Sequence, residues 1–174
     1  MKSAVVSVAL LVLSCGCGYI KRVDSLQDQK AEPTLRFWAR LQGVEHRARP
    51  EMRRLNAASR DAVSRSNVDE TAGAMLAIAE AHGRFADQLE QLDSTDVDDE
   101  AAQYRGRLAK AHRELADAYR RTSKATVDRD EKAIKANQPK LKQALDAYEA
   151  TWNDRGAVMT QLGERYAKDF DVKE

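Results

Sequence analysis

The sequence predicts an all-α protein: an up-down-up-down antiparallel four-helix bundle with coiled-coil-like packing. Three observations predict it. Ala, Leu, Glu, Lys, Arg and Gln, the strong helix formers, dominate, while Gly and Pro number only eight and three in 174 residues. Apolar residues recur at three- and four-residue steps along several long stretches, the period of one helix face. Short polar segments with capping residues separate those stretches. Amphipathic helices of this kind gain little alone in water, and short connections fold consecutive ones back antiparallel. A long coiled-coil hairpin is the alternative architecture, because the heptads are continuous and aromatics make up only 6% of the chain.

The first helix is expected to begin near Pro33, since proline is tolerated in a first turn. Its stripe is Phe37, Leu41, Val44, Ala48, Met52, Leu55, Ala58 and Ala62. Trp38 falls off this stripe, at the bundle edge. Pro50 lies inside it and predicts a kink rather than a break, because the stripe keeps its phase across it. Asn67-Val68-Asp69-Glu70 has the form of a capping box and starts the second helix, with Met75, Ile78, His82, Phe85, Leu89 and Leu92 facing inward. The acidic stretch Asp93 to Glu100 is the turn. Its spacing lacks the pattern of a calcium loop. Asp96 is expected to cap a third helix from about Val97 to Thr126. The fourth is expected from Asp128, kinked at Pro139, with Ile134, Leu141, Leu145, Tyr148, Trp152, Met159, Leu162, Tyr166 and Phe170 inward. A start at Pro139, with the third helix running on to Lys135, is the competing reading.

Lys plus Arg and Asp plus Glu number 29 and 28. Net charge therefore gives no case for a nucleic-acid or acidic-lipid partner. The arginines at 47, 49, 53, 54 and 60 are interleaved with acids and read as a solvated face, with an acidic partner or lipid headgroups as the alternative. Tyr148, Trp152, Tyr166 and Phe170 read as core first and partner surface second.

Met1-Lys2-Ser3 carries one positive charge, and an apolar run from Ala4 to Leu13 follows. The run is about half the roughly twenty residues a membrane-spanning helix needs, and it suits the apolar region of a secretory signal. Next comes Val12-Leu13-Ser14-Cys15-Gly16-Cys17-Gly18. This resembles the lipobox of bacterial lipoproteins: apolar residues, a small residue, then Cys. The resemblance covers residues 1–18 alone. It implies cleavage before a cysteine that is diacylated on sulfur. Cys15, after Leu13 and Ser14, is the better match, and Cys17 is the alternative. Several acyl chains anchor stably where one binds marginally. With no acid after either cysteine, the signal resembles outer-membrane rather than inner-membrane sorting. Residues 1–14 are then the signal, 15–32 the lipidated cysteine and a tether or helical lead-in, and 33–174 one helical domain. Both cysteines lie at or beside the leader, so that domain contains none.

One phrase recurs in the second and third helices. Ala79-Glu80-Ala81-His82 and Ala109-Lys110-Ala111-His112 match, and Asp87 and Asp117 follow at the same interval. In an antiparallel hairpin His82 and His112 should lie at the same height or within about one turn. Two imidazoles so close are weak candidates for a shared metal, and Asp87 or Asp117 could add a carboxylate. The Glu-x-x-His pattern of di-iron bundles is absent, since Ala79 and Ala109 stand three before each histidine. Haem finds no Cys-x-x-Cys-His, and a His–Met pair such as His112 with Met52 or Met159 is not singled out by spacing. His46 reads as solvated. No nucleophile, phosphate loop or acid–base pair can be recognised, so no catalytic residue and no cofactor is assigned. The expected function is a lipid-anchored, non-enzymatic helical-bundle envelope protein acting as a scaffold or interaction module, its protein partner unidentified. The alternative is a metal- or small-ligand-binding bundle using His82 and His112.

Overall fold

The computed structural model describes the backbone of residues 13–167 and side chains from residue 29 onward. The leader to residue 12, the side chains of Cys15 and Cys17, and Phe170 lie outside the described residues. Four helices make up the fold: α1 (Leu13–Ser64), α2 (Val68–Glu90), α3 (Asp99–Val127) and α4 (Glu131–Tyr166). Among the described residues there is no strand and no helix long and apolar enough to cross a membrane. The helices form an antiparallel four-helix bundle. The α2–α3 pair is the most extensive contact; α1 lies on α2 and α4 on α3, while the α1 and α4 backbones approach at only a few points.

Two of the three turns use one device. Ser66 and Arg129 adopt the left-handed conformation, with φ of 53° and 54°. The next amide, Asn67 N–H or Asp130 N–H, reaches back to Ala62 O at 3.2 Å or Ala125 O at 3.0 Å. This closes the outgoing helix as a Schellman motif. The same residue then caps the incoming helix. Asn67 accepts from Glu70 N–H and Asp130 from Ala133 N–H. The second helix thus starts as expected. The fourth is capped by Asp130, two residues after Asp128, which instead ends α3. A start at Pro139 is excluded.

The third cap is also displaced. Asp98, not Asp96, caps α3 and accepts from Glu100 N–H at 2.8 Å. Asp96 takes a positive φ of 60° inside the turn. Position 98 prevails because its side chain has further partners. It accepts from Tyr166 Oη at 2.7 Å and Arg165 Nη1 at 2.5 Å, and its backbone N–H donates to Thr34 Oγ1 at 2.9 Å. One residue therefore clasps α1, α3 and α4. Burial alone would raise its pKa; the hydrogen bonds from Tyr166, Arg165 and Glu100 outweigh burial and hold the carboxyl below its usual range.

The main core fills the end of the bundle that carries the α2–α3 turn. Phe37, Trp38, Leu41 and Val44 of α1 meet Leu89 of α2, Tyr104 and Leu108 of α3, and Val158 and Leu162 of α4. Trp38 is fully buried, its ring centre 5.4 Å from that of Tyr104, not at the edge. Ala58, placed on the expected stripe, is exposed. The buried face of α1 is wider than the expected stripe: Trp38 and Glu45 are buried beside Phe37, Leu41, Val44 and Ala48. Helix α1 also starts well before Pro33. It and α4 run unbroken through Pro50 and Pro139. Both prolines are exposed, as are His46 and Lys135 four residues earlier. Each proline, with the backbone N–H it lacks, therefore lies on the water-facing side of its helix.

Candidate functional site

The α2–α3 interface is lined with small residues: Ala79, Ala81, Gly83 and Ala86 on one side, Ala109, Ala111 and Ala116 on the other. They let the two helices approach closely. His82 and His112 are the histidines buried among them, and they meet across it. Their Nδ1 atoms are 2.8 Å apart and their ring centres 5.0 Å. This is a hydrogen bond between two buried imidazoles, so one carries its proton on Nδ1 and the other accepts there. Burial pushes the pKa of His82 down to about 4. For His112 burial, and then the charge His82 would carry, push it to about 3. Both rings are neutral at ordinary pH.

Aromatic rings enclose the pair. Tyr119 stacks on His82 with an interplanar angle of 9°. Tyr148 stands edge-on to both, at 5.7 Å from His82 and 5.0 Å from His112. Phe85 meets His112 in the same way at 6.0 Å. Beside His112 lies a cavity of about 70 Å³. It reaches α1 at Glu45, Ala48, Arg49 and Met52, and α4 at Tyr148 and Trp152. It occupies the seam where α1 and α4 stand apart.

Glu45 was not legible as a site residue, yet it is buried on this wall. Its Oε2 lies 3.2 Å from Arg155 Nη1, but neither oxygen has an aligned hydrogen bond. Burial raises its pKa, while Arg155 and Arg49 pull it down. Arg49 and Arg155 both sit over the Trp152 ring, at 5.3 and 6.0 Å. With its amide oxygen turned toward the donors, Gln42 accepts from Arg155 Nη2 at 2.9 Å and from Trp38 Nε1 at 3.3 Å. The signal for Glu45 was phase: it lies four residues after Leu41 and three before Ala48.

The two aspartates weighed as ligands do not join the histidines. Asp87 is exposed and paired with Arg113; Asp117 is exposed and pairs with Arg120 at 2.9 Å. His46 is exposed on α1. Among the described residues no three His, Cys, Asp or Glu side chains converge on a point that could hold a metal. Chemically the site offers two aligned imidazole nitrogens, an aromatic box, and an adjoining cavity with a buried carboxylate. Comparison with protein-family models, curated proteins and solved structures finds no match to this chain.

Proposed function

We propose that the protein is a lipid-anchored, non-enzymatic helical bundle facing the periplasm or the cell exterior, where it acts as a scaffold or interaction module. The anchor is Cys15, with Cys17 as the alternative, and the membrane is the outer one. The observation that carries the reading is the lipobox-like Leu13-Ser14-Cys15, which lies in α1, a helix that continues to Ser64. After cleavage before Cys15 the acylated residue would be the first of a helix whose later turns build the main core. Anchor and domain would then be one element. Several acyl chains on that residue would hold the chain stably at a bilayer.

Labelling cells with radioactive palmitate tests the anchor. The unaltered chain should take up label, Cys15→Ala should lose it, and Cys17→Ala should keep it. Unlabelled wild type would defeat the anchor, and full labelling of both variants would defeat a single lipidation site. Capture of the chain from cross-linked envelopes should bring down a specific protein. Recovery of the chain alone would count against an interaction module.

A further inference from the structure

We propose that His82, His112 and Met52 form a binding site for a soft monovalent cation, Cu(I) or Ag(I). The first ground is the alignment of the two imidazoles. The 5.0 Å between ring centres is almost wholly used up by the 2.8 Å gap and the two centre-to-nitrogen radii. The Nδ1 lone-pair axes therefore run nearly head to head. That is the arrangement in which two nitrogens donate to one ion between them.

The second ground is the third donor. Met52 lines the same cavity as His112 and, half-buried, packs on the cluster of Ala48, Ala81 and Phe85. Its thioether is a soft ligand, and thioethers and thiolates select Cu(I) while imidazole accepts copper readily. A zinc ion would want four ligands in a tetrahedron. A d¹⁰ monovalent ion is content with two or three. A single charge is also far cheaper to bury than a double one.

The exchange balances without redox chemistry. In the free protein one Nδ1 carries a proton shared with the other. When the cation enters, that proton moves to Nε2 of its own ring. Both rings end as the Nε2–H tautomer, both Nδ1 lone pairs bond the ion, and no proton leaves. Metal–nitrogen bonds of roughly 2 Å require the two Nδ1 atoms to separate to about 4 Å if the ion is linear, and less if Met52 bends it. The cavity beside His112 gives that ring room to retreat. The site is independent of the anchor and would stand if lipidation failed.

The test uses the full chain with Cys15→Ser and Cys17→Ser, so that no thiolate competes. Ag(I) is titrated in chloride-free buffer and followed by nitrogen NMR of the imidazoles. The expected result is saturation at one equivalent, with the Nδ1 atoms of both His82 and His112 coupled to silver. Met52→Leu, which conserves volume, should weaken binding roughly tenfold or more. Absence of stoichiometric binding, coupling at His46 or at Nε2 instead, or unchanged affinity in Met52→Leu would each overturn the site. The coupling is read in the chain with both histidines intact, so the result does not depend on a histidine variant folding.

Discussion

Lowering the pH from 7 to 5 should destabilise the bundle through its two buried imidazoles. In the fold burial pushes them down to about 4 and about 3, against the ordinary 6.5. Below pH 6.5 the unfolded chain takes up protons that the folded chain refuses, so stability falls as pH falls. Each pKa unit is worth about 1.36 kcal/mol, so at pH 5 each histidine costs about 2 kcal/mol and the pair about 4. That is a large part of the roughly 5–15 kcal/mol that holds a typical domain together. Glu45 acts in the opposite sense: its raised pKa means that protonation relieves a buried charge. It returns some stability toward the lower end of the window. Asp98, held below the usual carboxylate range, loses its contribution only at lower pH. Urea unfolding followed by far-UV circular dichroism at pH 7, 6 and 5 measures the effect. The midpoint should fall steadily at constant slope, and replacing both histidines by leucine should flatten the dependence. A midpoint unchanged between pH 7 and 5 in the parent chain would refute the reasoning, because it would mean that the pair accepts a proton without cost.

Other perturbations report on particular contacts. Trp38→Ala empties a fully buried site in the main core and should cost about 3–5 kcal/mol in urea unfolding. Arg129→Gly should stabilise by about 1 kcal/mol, because arginine there pays for a left-handed backbone that glycine adopts freely; a raised thermal midpoint checks it. Asp98→Ala removes the α3 cap and the shared acceptor of Arg165 and Tyr166. It should cost about 2–3 kcal/mol and speed amide exchange in the first turn of α3.

The fold was legible because a four-helix bundle repeats its signals. Each apolar stripe spans many turns, so an error at one position leaves the phase intact. Caps were legible where the local sequence offered one good candidate, as at Asn67. They were misplaced where several acids competed. Asp96 and Asp98 both suit a helix start, and contacts from distant Thr34, Arg165 and Tyr166 decide between them. The height match of His82 and His112 followed from counting residues to the turn. Their direct contact depended on how closely the alanine-lined helices approach. Trp38 and Glu45 flank the apolar stripe of α1, where a stripe drawn one residue wide leaves them out, and hydrophobicity gives no reason to add a carboxylate. In the fold both are buried beside Phe37, Leu41 and Val44.

Helix α1 is more than twice the length of α2, 52 residues against 23. Lys30, bonded to Asp99 at 3.1 Å, marks where it draws level with the first turn of α3. The turns before Lys30 form a ruler. At about 1.5 Å per residue, Cys15 stands roughly 22 Å back along the axis from that level. An acylated Cys15 would therefore fix both the stand-off of the bundle from a bilayer and its azimuth about the helix. Inserting seven residues ahead of Lys30 would push the bundle out by about 10 Å and keep nearly the same side facing its surroundings. Inserting two would turn it to present the opposite side.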